Sequence, residues 1–186
     1  DSEIASDASS TVEFWINPDA TGWDGVVGAA AGNQAYFYLS NGIAIGYAGG
    51  YAYMAQGINA IPLNKWSNVA ITHDGGTATL YVNGKMIDSV ALVGPPGVKY
   101  IAGDNDSDTE RFDGKIGRVS VWSKALTGAE IRTMMFQDFG AATTTTCVGW
   151  WQFDEGEGLT VADKSTSGND GTLNSNFWAT AGNWAD

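Results

Sequence analysis

The sequence predicts an all-β sandwich, and three observations predict it. Short runs of alternating apolar and polar residues recur along the chain, clusters of Gly, Ser, Thr, Asn and Asp separate them, and only one segment has helical spacing. Glycine contributes 25 of the 186 residues, as many tight turns require. The length suits one sandwich domain that folds without disulfides.

Each element follows from its local pattern. Residues 11–16 (TVEFWI) place Val12, Phe14 and Ile16 on one face, and Asn17-Pro18-Asp19 ends the strand. A short apolar run covers 25–31, and 34–39 (QAYFYL) is aromatic on both faces before the turn at Ser40-Asn41-Gly42. Strands at 43–47 and 51–55 flank Gly49-Gly50. Another follows Trp66 and ends at His73-Asp74-Gly75-Gly76. Asn83-Gly84 joins strands 77–82 and 85–90, because both central positions of a type I′ turn need positive φ. Residues 115–122 (KIGRVSVW) form a further strand. Thr127-Gly128-Ala129-Glu130 is a capping box ahead of Ile131, Met134 and Met135, so a short helix is expected over the sandwich edge. The tract 140–146 (GAATTTT) reads as a linker between a main block, 1–139, and a coda, 147–186.

The net charge is −12, from 21 acidic against 9 basic side chains. Such a field repels nucleic acid and anionic membrane surfaces, and it attracts calcium, while charge kept for solubility explains the total equally well. Cys147, the lone cysteine, cannot form an internal disulfide and reads as a small buried residue. No run approaches the roughly 20 apolar residues of a membrane span. The start at Asp1, without Met or an apolar leader, reads as a mature or excised piece.

Three segments together resemble the laminin-G-like, concanavalin-A-like jelly-roll superfamily. The first runs from Lys65-Trp66-Ser67-Asn68-Val69-Ala70-Ile71-Thr72-His73-Asp74-Gly75 into Leu80-Tyr81-Val82-Asn83-Gly84-Lys85. The second is Phe112-Asp113-Gly114-Lys115-Ile116-Gly117-Arg118-Val119 leading to Trp122, Leu126-Thr127 and Glu130-Ile131. The third is Trp151-Gln152-Phe153-Asp154-Glu155-Gly156, then Val161-Ala162-Asp163-Lys164-Ser165 and Gly168-Asn169-Asp170-Gly171-Thr172-Leu173. The resemblance implies a jelly roll of two antiparallel sheets with one short helix. In the family the third segment opens the domain, whereas here it follows the helix. A circularly permuted single domain, 1–186, explains that order. A chain cut from a tandem array, its coda beginning the next repeat, explains it too; an unpaired coda would then expose Trp150, Trp151, Phe153 and Trp178.

Two oxygen-rich loops are candidate calcium seats. Asp104, Asn105, Asp106, Asp108 and Glu110 supply oxygen donors along one loop ahead of Asp113, without the spacing of an EF-hand, and a solvated acidic loop is the alternative reading. The resemblance implies a structural calcium held by Asp163, Asn169, Asp170 and Asp113. Ordinary turn chemistry accounts for the same residues. Trp15, Trp66, Trp122 and Trp151 are expected in the core. Trp23, Tyr47, Tyr51 and Tyr53, nearer glycines and turns, are candidates to stack on a ligand together with Asn105 and Glu110. No strand carries the alternating acids of a glycosidase, and Glu13 is the only acid on its strand. The expected function is therefore calcium-dependent recognition of an extracellular glycan by a monomeric module of a secreted or surface adhesion protein. A peptide- or protein-binding adhesion domain and a structural spacer are the alternatives.

Overall fold

The computed structural model describes residues 4, 9–20, 22, 24–28, 35–40, 42–47, 50–55, 60–91, 97–103, 111–138 and 145–173, with backbone alone at 35–36, 42–47 and 50–51. The strands are β1 (Ser9–Pro18), β2 (Asp24–Gly28), β3 (Ala35–Ser40), β4 (Gly42–Tyr47), β5 (Gly50–Met54), β6 (Ser67–Asp74), β7 (Thr77–Val82), β8 (Lys85–Ala91), β9 (Tyr100–Ile101), β10 (Gly114–Trp122), β11 (Cys147–Trp151), β12 (Thr160–Val161) and β13 (Gly171–Thr172), with helix α1 (Gly128–Met134) between β10 and β11.

They build an antiparallel sandwich. One sheet has the order β11-β10-β1-β6-β7-β8 and the other β5-β4-β3-β2-β9, while β12 and β13 form a small separate pair. Alternation along β1 sends Val12, Phe14 and Ile16 inward, where they meet Val69 and Ile71 of β6, Val119 and Val121 of β10, and Phe37 and Leu39 of β3. Phe14 and Phe37 touch edge to face across the two sheets, 5.1 Å between ring centroids. Near the two free edges, Asp88 of β8 accepts the Ala55 amide just past β5 at 2.7 Å.

The expected turn at Asn83-Gly84 is present, with φ of 50° and 69°. The capping box also forms: Thr127 Oγ1 accepts the Glu130 amide and the Glu130 carboxylate accepts the Thr127 amide. The helix does not cover a sandwich edge, however. It lies on the outer face of the six-stranded sheet, where Leu126 and Ile131 pack with Ala70, Trp122, Cys147 and Trp150. Arg132 ties it to the β7–β8 turn through the Gly84 carbonyl at 2.8 Å. Two sequence expectations shift with it. His73 is buried inside β6, opposite Ser10 and Ala78, so the turn is confined to Gly75-Gly76. Trp122 and Trp151 are core residues, whereas Trp15 and Trp66 are only half-buried, outside both apolar clusters.

The coda is paired. β11 extends the six-stranded sheet beyond β10, with Val119 opposite Trp151 and Ser120 opposite Trp150. Trp151, 4% exposed, and Val161 enter the main core, and Trp150 and Cys147 the outer cluster. Gly149 must be glycine there, since a Cβ would stand 2.4 Å from the Trp151 ring.

Candidate functional site

The first candidate lies at the rim where β2, β9 and β10 begin or end. Residues 104–110, with the predicted ligands Asp104, Asn105, Asp106, Asp108 and Glu110, lie outside the described residues, as does Trp23. The two residues bracketing that segment, Gly103 and Arg111, bridge each other, and Arg111 also bridges Gly25 of β2. This places Asp24 and Asp113 in one neighbourhood. Asp113 is exposed. Burial pushes the Asp24 carboxyl above its ordinary value, and the Asp113 carboxylate pushes the same way against the Gly22 amide, which donates to Asp24 Oδ2 at 2.7 Å. A carboxylate whose ionisation is opposed by burial and by a neighbouring carboxylate suits a hard cation with oxygen ligands. Asp24 was not legible as a candidate in sequence, because it stands on a strand 89 positions from Asp113 and belongs to no motif.

The exposed face beside this rim carries one described aromatic candidate. Met54 of β5 points into the core, so Tyr53 points outward, 46% exposed. Its register partners run across the sheet as Tyr53, Ala44, Tyr38 and Gly25, ending next to Arg111. At about 4.8 Å between strands, the row is roughly 14 Å long. Tyr38 is fully buried despite facing away from Phe37 and Leu39. Tyr47 and Tyr51 lie on β4 and β5, with side chains outside the described residues.

The second candidate, in the coda, has a different geometry. Asp163 Oδ1 accepts the amides of Trp150 at 2.8 Å and Ser165 at 2.9 Å, while Oδ2 accepts the Ser165 hydroxyl at 2.8 Å and the Asn169 amide at 2.9 Å. A carboxylate offers about four lone-pair positions, and four protein donors fill them. Asp170 Oδ1 accepts the Asp163 amide, and Asn169 Nδ2 donates to the Val148 carbonyl at 2.8 Å. The Lys164 amide donates to the Trp150 carbonyl, and Trp151 Nε1 to the Asn169 carbonyl. The loop thus occupies the main-chain groups on the outer edge of β11, which would otherwise be free to pair with another strand. As described, Asp163, Asn169 and Asp170 form an edge cap, with four protein donors on the Asp163 carboxylate. Among the described residues no three His, Cys, Asp or Glu side chains converge as metal ligands.

A third polar group is buried on the outer face of the six-stranded sheet. Glu13 is 0% exposed, with Oε1 accepting Asn68 Nδ2 at 2.9 Å and Arg118 at 3.0 Å, and Oε2 lacking a geometric hydrogen-bond partner among the described residues. Burial raises the Glu13 carboxyl above its ordinary range, against the opposing pull of Arg118, and burial likewise lowers Arg118. Arg118 also donates to the Gln137 carbonyl at 2.9 Å and lies 4.4 Å from the Trp150 ring centre, so it joins main block, helix tail and coda. Nearby Cys147 is buried, which pushes its thiol up to about 12, the range of an inert structural cysteine.

Residues 1–132 match a family described as the concanavalin A-like lectin/glucanases superfamily. No curated protein sequence matches the chain. Among solved structures it resembles a candidate carbohydrate-binding protein of Bacteroides ovatus, with TM-score 0.65 and 20% identity over 91% of this chain and 55% of that one. It also resembles a heptameric pentraxin of Limulus polyphemus, with TM-score 0.54 and 21% identity over 70% of this chain and 71% of the other. A third is domain 4 of an extracellular arabinanase of Geobacillus stearothermophilus, solved with arabinotriose, with TM-score 0.53 and 18% identity over 69% and 66%. At these identities the likeness is one of fold, and the chain spans about half the length of the Bacteroides protein.

Proposed function

The chain belongs to the concanavalin A-like lectin/glucanase superfamily, and on that premise we propose that it is a non-catalytic, calcium-dependent carbohydrate-binding module of a secreted or cell-surface protein. The observation that carries this reading is the Asp24–Asp113 pair at the rim, beside the residues that bracket the acidic segment 104–110. These carboxylates would hold a calcium ion, which offsets the cost of ionising Asp24 and supplies open coordination positions for vicinal hydroxyls. Tyr53, at the other end of the row from Gly25, offers a ring face for the apolar side of a sugar.

A glycan array run with calcium and again with chelator tests the reading. Binding present only with calcium, and weakened at least tenfold (about 1.4 kcal/mol) by Asp24→Asn, is the expected result. At a hundredfold excess over Kd, calcium adds about 2.7 kcal/mol to stability, so the melting temperature should fall by several degrees on chelation. A melting curve indifferent to chelator, or glycan hydrolysis that disappears in Asp24→Asn, would overturn it.

We also propose that residues 1–186 form one domain in which the coda supplies strands to the main block. Its support is the β10–β11 register and the burial of Trp151 and Val161 in the shared core. Deleting everything after Gly140 should abolish cooperative unfolding. A truncated chain that melts as sharply as the full one would assign the coda elsewhere.

A further inference from the structure

Each sheet ends in a strand with one free edge on the same side of the sandwich, β8 in the six-stranded sheet and β5 in the five-stranded one. β8 opens with Lys85 and Met86 exposed, as suits an edge that faces water. Its middle breaks that pattern. Leu80 of β7 stands opposite Asp88 and Tyr81 opposite Met86, so Ile87 is one residue too many and the strand bulges there. Directly opposite residues share a face, and Leu80 is a core residue. The bulge therefore turns Asp88 toward the apolar side of the sandwich, among Ile87 and Val90, which pack on the core.

A carboxylate placed there needs hydrogen-bond donors. Asp88, half-buried, has two main-chain amides. Oδ1 accepts Ser89 at 2.8 Å, and Oδ2 accepts Ala55 at 2.7 Å, 33 positions away in the other sheet. Ala55 is the residue at which the chain leaves β5. It is buried and has φ of 52°, a left-handed conformation that a residue with a Cβ adopts only where its surroundings hold it. As an edge strand, β5 has β4 as its one strand neighbour. Tyr53, opposite Ala44 of β4, lies two positions before Ala55 and faces outward. The Asp88–Ala55 bond thus anchors the end of β5 that carries the exposed ring.

We propose that Asp88 is a positioning residue for carbohydrate binding: by holding the Ala55 amide from the core side, it fixes the ring that Tyr53 offers to a sugar. Stacking gains affinity when the ring is oriented before the sugar arrives, because ordering it on contact costs binding energy. The proposal rests on the carbohydrate-binding reading and adds to it a residue that touches neither sugar nor metal.

The experiment is a double-mutant cycle on the full chain, read as binding to an array of neutral and acidic glycans in calcium, with hydrogen exchange over residues 50–55 followed on the same proteins. Tyr53→Ala and Asp88→Ala should each weaken binding by about fivefold or more, and the double variant should stay within about twofold of Tyr53→Ala, since Asp88 acts through the ring. Exchange over 50–55 should quicken in Asp88→Ala, while the calcium-induced rise in melting temperature stays as in wild type. Asp88→Asn keeps one acceptor oxygen for two amides. It should weaken binding by about two- to fivefold with the same coupling to Tyr53, and it carries the test if Asp88→Ala does not fold. Losses that multiply in the double variant would overturn the proposal, because Asp88 would then act by another route. Full affinity in the Asp88 variants beside a weakened Tyr53→Ala would overturn it too, leaving Asp88 a stitch between the sheets and the carbohydrate-binding reading intact. Full calcium-dependent affinity in Tyr53→Ala would overturn the proposal and remove the ring from the site, with the Asp24–Asp113 pair untouched. No glycan bound under any condition would overturn both readings.

Discussion

The two faces of the six-stranded sheet are both largely buried, and they are buried by different physics. The inner face is apolar throughout and is covered by a second sheet, so its stability comes from interdigitated side chains removed from water. The outer face is covered by one short helix and its flanking chain, and carries Thr11, Glu13, Asn68, Arg118 and Ser120 among Trp122, Trp150 and Ile131. Thr11 Oγ1 both donates to the Lys124 carbonyl at 2.7 Å and accepts the Leu126 amide at 2.9 Å, and so docks the chain entering the helix. Trp122 Nε1 donates to Ser120 Oγ. Burial there depends on hydrogen bonds being met, and where a partner is missing, as at Glu13 Oε2, the cost remains. A thin cover over a polar layer also stops short, which leaves the Trp15–Phe136 end in contact with solvent.

Substitutions on the two faces should separate these contributions. Trp151→Ala empties a large site on the inner face and should cost about 3–5 kcal/mol in denaturant unfolding, with no dependence on pH between 4 and 8. Glu13→Ala on the outer face should cost about 3 kcal/mol, the lower end for a broken buried ion pair, because Arg118 keeps the Gln137 carbonyl and the Trp150 ring. Unlike the first, this site should be sensitive to pH. Its folded-state pKa is raised, so its contribution is fully present below its unfolded value near 4.5 and declines as pH rises through the folded value. The stability of wild type relative to Glu13→Gln should therefore fall from pH 4 to pH 8, and a flat difference would show that Arg118 compensates the charge in full.

The helix start should give the smallest effect. Thr127→Ala removes one side of the capping box and should cost about 1 kcal/mol. The Glu130 carboxyl is held down to about 2 by Lys124 and by the Thr127 amide and hydroxyl, below its ordinary 4.5. Its stabilising contribution is thus present above about 4.5 and fades as pH falls toward 2, the opposite sense to Glu13. Melting temperatures of Thr127→Ala and wild type should converge in that acid window.

Local chemistry was legible where neighbours in sequence settle it. The hairpin at Asn83-Gly84, the capping box at Thr127 and the inward set Val12, Phe14 and Ile16 each depend on residues a few positions apart, and each stands as the pattern implies. The four strand tryptophans read alike in sequence, yet Trp122 and Trp151 are core and Trp15 and Trp66 are not. Alternation says that a strand has two faces, and says nothing of how far a helix will reach across one of them. The same limit applies to the acids. Asp163 sits in a run of oxygen donors that fits a calcium loop and an edge cap equally well, until the outer edge of β11 brings it the Trp150 amide.

By itself, then, the sequence determined the longer strands of the main block, the turn and cap chemistry, the acidic character and the superfamily, because propensity, patterning and charge act over short range or over the whole chain at once. Tertiary structure alone decided which distant groups meet. Glu13 found Arg118 across 105 positions, and Asp24 came to lie beside Asp113. Both pairings follow from strand order: β1 lies between β10 and β6, and Arg111, bridged to β2, leads into β10. The energy of such pairs depends on burial and distance, quantities that exist only once the sheets have closed.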